Sequence, residues 1–318
     1  MSASAEFRHL PVHASLAVSD AASNSGLPNA ACTTLTPAAI DATLAAARTD
    51  ALPDRHTLPA MQTHTFHAAG HLLAATTWGR IDAAQPAIVM MHGGLDCTGT
   101  WKDLPKAIAA ATGLAVLSYD RYGYGRSEPL ASMRGREYRH EEAGQACADL
   151  LGHFGIRRAV LFGHSDGGAI AVLAAARHPS AVQGVCVCAP TVAIDLRMVQ
   201  AMQEAGAAFE RGDLRARLAR HHGENTEAMF RSWYGAWCDP GAVQWSMAEE
   251  IAAVKCPVSA LFGRDDEYGW RASAGALFEH GTMALELIAL PGVGHHPHQR
   301  ARSETLNMLQ GLLRRIGH

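Results

Sequence analysis

Short apolar runs recur along this chain, and most are followed by a stretch with helical spacing. The runs fall at 87–91, 114–119, 159–163, 185–188, 258–262 and 285–290. A strand that is apolar at nearly every position has to be covered on both faces, which is the condition of a parallel sheet between two helix layers. Helical spacing follows at 101–111, stopped by Gly113, at 141–154, stopped by Gly155, and through 176, closed by Pro179. Ahead of these, 63–68 and 72–77 flank Gly70 and predict a hairpin. The fold class expected is α/β, a mostly parallel, doubly wound sheet.

A chain of 318 residues leaves room for two domains, or for one large domain with an insertion. The alternation breaks over 191–256, far longer than an ordinary strand–helix connection. Helical spacing at 198–209 and 214–221 and the aromatic group Trp233, Tyr234, Trp237 and Trp245 predict a helical cap there. The core is then 61–190 with 257–318. Residues 1–60, rich in Ala, Ser, Thr and Pro, read as a partly ordered extension with one short helix at 37–48. A homodimer contact through that extension or the cap is left open. The first residues lack a basic segment followed by an apolar one, and no apolar run of about 18 residues occurs, so neither a secretory signal nor a membrane span is expected. With 27 basic against 30 acidic residues, the electrostatic footprint of a nucleic-acid binder is missing. Seven scattered cysteines without a CxxC pair fit neither a disulfide framework nor a zinc site, and suit a cytoplasmic location.

The chemistry concentrates at Gly163-His164-Ser165-Asp166-Gly167-Gly168. Gly-x-Ser-x-Gly alone is a weak pattern, but here it joins an apolar run to an apolar helix. That is the context of a nucleophile elbow, whose tight turn admits only small neighbours. A serine hydroxyl needs a base to attack at neutral pH, so a histidine has to reach it. Gly263-Arg264-Asp265-Asp266-Glu267 and Gly294-His295-His296 both follow predicted strands, at the carboxyl ends where ligands bind open parallel sheets.

Together with His92-Gly93-Gly94 and the loop Asp120-x-x-Gly123-x-Gly125-x-Ser127, these residues resemble the α/β-hydrolase superfamily across roughly 63–318. The resemblance implies a sheet of the α/β-hydrolase type with a helical cap insertion. It also implies Ser165 as nucleophile, His295 as its base and Asp266 as the acid that orients it. The oxyanion hole would be the amides of Gly94 and Asp166, and Trp233 and Trp237 would border the substrate. Asp265 and Glu267 are rivals for the acid, as is Asp195 after the 185–188 run. His296 and His298 adjoin His295, but without acidic or thiolate company in that stretch no metal is expected, nor any cofactor. His221 and His222 read as surface residues of the cap, His92 as a brace of the oxyanion loop, and His164 as packing beneath the elbow. Asp166 reads as a cap of the following helix, the alternative being a carboxylate that faces the lid and repels anionic substrates. Arg121, Tyr122, Tyr124 and Arg126 stay open as substrate contacts. A serine at the elbow disfavours haloalkane dehalogenase and epoxide hydrolase activity, which use an aspartate there. The function expected is ester hydrolysis of a small-molecule substrate through an acyl-enzyme. Cleavage of C–C bonds, perhydrolysis and non-catalytic binding on the same fold are the alternatives.

Overall fold

The computed structural model describes residues 60–238 and 245–318. The helix expected at 37–48 and nearly all of the 1–60 extension lie outside the described residues. Eight strands form one sheet: β1 (Met61–Ala68), β2 (His71–Trp78), β3 (Ala87–Met91), β4 (Val116–Asp120), β5 (Ala159–His164), β6 (Val182–Cys188), β7 (Val258–Gly263) and β8 (Leu285–Leu290). Their order is β1-β2-β4-β3-β5-β6-β7-β8. β2 runs antiparallel to β1 and to β4, and every other pairing is parallel. The hairpin closes through Ala69 and Gly70, both at positive φ, the two-residue turn whose twist matches its strands.

β3, β4, β5 and β7 are buried at every position, as their sequences require. Alternate residues serve two separate cores. Val89, Met91, Leu117 and Leu161 face one, and Ile88, Met90, Val116 and Phe162 face the other. β8 differs: it is half-buried throughout because it is the sheet edge, and its Glu286 accepts hydrogen bonds from Ser259 and Arg315.

The helices packed on the sheet are α1 (Leu104–Thr112), α2 (Tyr138–Glu141), continued by a π turn over Glu142–Ala146 into α3 (Cys147–His153), and α4 (Asp166–Arg177). The cap region carries α5 (Leu196–Arg211), α6 (Leu214–His222) and α7 (Thr226–Trp237). These build their own apolar centre, with Phe209 stacked on Phe230 at 3.7 Å between ring centroids. α8 (Ala248–Ala253) departs from the sequence reading of 191–256 as cap. Met247, Ile251 and Val254 pack into the core beside the sheet residues, because three apolar side chains at that spacing find a larger buried surface there. α9 (Arg271–His280), α10 (Pro297–Arg300) and α11 (Arg302–Arg315) complete the described α-helices. None is long and apolar enough to cross a membrane.

Candidate active site

Ser165 stands at the turn from β5 into α4 with φ +52°, a left-handed conformation that a non-glycine residue adopts only under constraint. The flanking glycines supply the constraint. A Cβ on Gly163 would collide with the Gly167 carbonyl, and one on Gly167 would collide with the Met91 and His92 carbonyls. The elbow can therefore pack only as Gly-x-Ser-x-Gly, with the serine side chain carried above the sheet edge.

His295 lies beyond β8 and Asp266 beyond β7. Ser165 Oγ is 2.9 Å from His295 Nε2, and His295 Nδ1 is 2.8 and 3.0 Å from the two Asp266 oxygens. With a carboxylate on Nδ1, the neutral ring carries its proton there and Nε2 presents a lone pair to the hydroxyl. Asp266 is itself held by the Tyr268 amide at 2.8 Å. The rival acids sit elsewhere: Asp265 is exposed, Glu267 accepts from the His295 amide, and Asp195 caps α5 by accepting from the Met198 amide.

The Asp166 amide opens α4, where the first turn of a helix leaves N–H groups without intrahelical acceptors. Gly94 lies across the cavity, so close under Trp233 that a Cβ there would collide with the indole nitrogen. Trp233 and Trp237, one turn apart on α7, line a cavity of about 230 Å³ together with Ser165, His295, Leu218 and Met202. A larger groove of about 820 Å³, between the β1–β2 turn and the α2–α3 segment, contains none of these residues.

Several sequence expectations are corrected. Asp166 neither caps α4 nor faces the lid: its side chain is 1% exposed and accepts from Arg121 Nη1 (2.7 Å), Arg139 Nε (2.6 Å) and Tyr138 Oη (2.6 Å). Burial would raise its pKa, but the two guanidinium groups and the tyrosine outweigh that and hold the carboxyl well below the usual carboxylate range. Arg121 is consequently buried and no substrate contact. Tyr124 is buried against it, Arg126 bonds Asp120, and Tyr122 stacks on His71. His222, expected on the surface, is 2% exposed; its Nδ1 accepts from the Gly125 amide and its Nε2 donates to the Leu95 carbonyl, tying α6 to two site loops. His92, in the loop after β3, is buried and accepts from the Arg121 amide, and burial beside Arg121 lowers its pKa to about 3.

Arg139 and Tyr138 escaped the sequence reading. The available signal was Asp166 itself, an acid opening a helix that stays apolar until Arg177 in its last turn, whose charge needed buried partners. His164 does lie beneath the elbow. It also meets Asp96, so the acidic company that the 295–298 stretch lacks comes from another loop.

The comparisons agree with this architecture. A family model described as serine aminopeptidase, S33, matches residues 82–232. Over 108 residues the chain is 36% identical to the sn-1-specific diacylglycerol lipase ABHD11 of Mus musculus, covering 33% of each protein. Over 218 residues it is 27% identical to lipase LipV of Mycobacterium tuberculosis, covering 68% of this chain and 73% of that one. The chain thus spans a third of the mouse protein and nearly three quarters of the mycobacterial one. Among solved structures, the 2-hydroxy-6-oxo-6-phenylhexa-2,4-dienoate hydrolase of Rhodococcus superposes with a TM-score of 0.67 at 17% identity, over 80% of this chain and 99% of that one. With its eight-stranded, mostly parallel sheet and elbow, the chain has the fold of the α/β hydrolases.

Proposed function

We propose that the chain is a serine hydrolase that cleaves small, largely apolar esters through an acyl-enzyme. The observation that carries this reading is the continuous relay from Asp266 through His295 to Ser165, every link at 2.8–3.0 Å. Ser165 Oγ attacks the ester carbonyl carbon while its proton passes to His295 Nε2. Asp266 stabilises the imidazolium, and the amides of Gly94 and Asp166 receive the developing oxyanion. Collapse breaks the bond to the alkoxy oxygen, which leaves as the alcohol with the proton from His295. Water then attacks the acyl-enzyme by the same path in reverse roles, releasing the carboxylic acid and restoring Ser165.

Lipase names among the relatives support ester chemistry for this chain. The cavity argues for small substrates: about 230 Å³ is below the roughly 300–1,000 Å³ of sites that enclose drug-sized ligands. Its walls are mostly apolar, with Trp233 and Trp237 as the bulky elements, and the absence of a free cation among its described lining residues suits uncharged esters.

The test is hydrolysis of p-nitrophenyl esters of increasing acyl length. Ser165→Ala is expected to abolish turnover. Acetate and butyrate should be cleaved far faster than octanoate, and Trp233→Ala should narrow that gap. Turnover surviving in Ser165→Ala would overturn the reading. A preference for long chains would overturn its substrate half.

A further inference from the structure

Asp96, His164 and His296 come from three segments: the loop after β3, the last position of β5 and the residue before α10. Among the described residues they form the one group of this kind whose ligand atoms lie within 4.8 Å of one another. All three border the cavity that holds Ser165, so an ion has a route in. None belongs to the Asp266–His295–Ser165 relay.

The hydrogen bonds of His164 make the cluster unusual. Its Nε2 is 2.9 Å from the His295 carbonyl oxygen, which only accepts, so in the neutral ring that nitrogen carries the proton. Nδ1 then turns its lone pair toward Asp96 Oδ2, also an acceptor, at 3.2 Å. Two acceptors at that distance need either a second proton on the ring or a cation between them. A histidine that gives one nitrogen to a metal commonly donates its other N–H to a backbone carbonyl, which fixes tautomer and ring orientation. The 3.2 Å between Asp96 Oδ2 and His164 Nδ1 also fits, because tetrahedral donors about 2.0–2.1 Å from an ion stand roughly 3.3 Å apart, and His296 lies within 4.8 Å of both. Gly93 keeps the space open: a Cβ there would sit 2.5 Å from Asp96 Oδ2 and 2.9 Å from His164 Nδ1.

We propose that Asp96 Oδ2, His164 Nδ1 and a ring nitrogen of His296 bind one divalent transition-metal ion of the zinc class. Two imidazoles and one carboxylate suit zinc or cobalt, whereas magnesium and calcium prefer all-oxygen shells. The fourth position opens into the cavity. A bound ion takes room beside Ser165 Oγ, so occupancy and ester turnover compete; that competition, unlike the binding, rests on the hydrolase reading above.

The experiment is titration of the chelator-treated, full-length Ser165→Ala protein with Co²⁺, followed by visible absorption, with Zn²⁺ as competitor. Using Ser165→Ala separates binding from activity. One equivalent with a tetrahedral spectrum, displaced by Zn²⁺, is expected. In the same background, Asp96→Asn and His296→Gln should each weaken binding at least tenfold, the lower end of what removing even an outer partner of a metal ligand does. Circular dichroism of both variants guards against misfolding. A second, independent reading is thermal: Zn²⁺ should raise the melting temperature of the parent protein and not that of folded His296→Gln. No saturable uptake, or uptake unchanged in both variants, overturns the site and leaves the His164–Asp96 contact to a second proton. Saturation that leaves wild-type ester turnover untouched overturns the competition.

Discussion

Asp166 combines two duties that pull in different directions. It borders the cavity from the first turn of α4, while its carboxylate is buried among Arg121, Arg139 and Tyr138. Removing one partner of a buried ion pair leaves the others charged and unpaired, at a cost of about 3–5 kcal/mol. Asp166→Ala is therefore expected to lower stability by that order in urea denaturation. Because the folded carboxyl titrates below its unfolded value, the contribution is fully present above about pH 4 and is lost as pH falls through the folded pKa. The stability gap between wild type and Asp166→Asn should accordingly hold constant from pH 7 to 5 and shrink in stronger acid. A gap that widened on acidification would contradict the pairing. At the relay, Asp266→Asn favours the wrong imidazole tautomer and should lower kcat by up to about 10⁴, whereas exposed Asp265→Asn should leave it nearly unchanged.

What could be read from the sequence, and what could not, divides by element. The elbow, β7–Asp266 and β8–His295 were legible because each motif follows its own strand within a few residues. The buried partners of Asp166 were not, since Arg121 leaves β4 and Arg139 sits on α2, and no local pattern couples either to position 166. The Asp96–His164–His296 group was hidden for the same reason: its members are distant in sequence and meet only when β3, β5 and the loop before α10 pack. His222 was misread because a polar residue at the end of a cap helix is usually solvated, and only the fold brings Gly125 and Leu95 to both of its nitrogens. That arrangement has a testable consequence for the cap. His222→Ala removes both bonds and leaves a part-buried amide and a part-buried carbonyl without that partner, each costing less than the roughly 1–3 kcal/mol of a fully buried group. α6 should then loosen from the site loops. Hydrogen exchange over 214–222 is expected to rise, together with KM for short esters, while His221→Ala changes neither.

At the scale of the whole molecule, burial of neutral histidines ties stability to pH in a window free of carboxylate effects. Between pH 7.5 and 5.5 the unfolded chain takes up protons chiefly on histidine, whose ordinary pKa is about 6.5, while exposed carboxylates titrate lower. In the folded state burial lowers the pKa of His222, and burial with Arg121 brings that of His92 down to about 3. A group with a depressed folded pKa stabilises above its unfolded value and loses that contribution as pH falls, so acidification in this window must destabilise the fold. His92 by itself stays unprotonated in the folded protein at pH 5.5 while about nine in ten unfolded chains carry the proton, a loss on the order of 1 kcal/mol. For a domain of this size that corresponds to a fall in Tm of roughly 2–4 °C, with His222 adding in the same direction. Calorimetry at pH 7.5 and 5.5 in the presence of a chelator should show that fall, with net proton uptake on unfolding at the lower pH. His92→Gln, which has no ring proton to gain, should flatten the dependence even if its absolute stability is lower. A Tm that stays level or rises toward pH 5.5 would mean that these rings are hydrated in the folded protein, and the loop after β3 would have to pack on Arg121 more loosely than the 3.1 Å bond from the Arg121 amide to His92 implies.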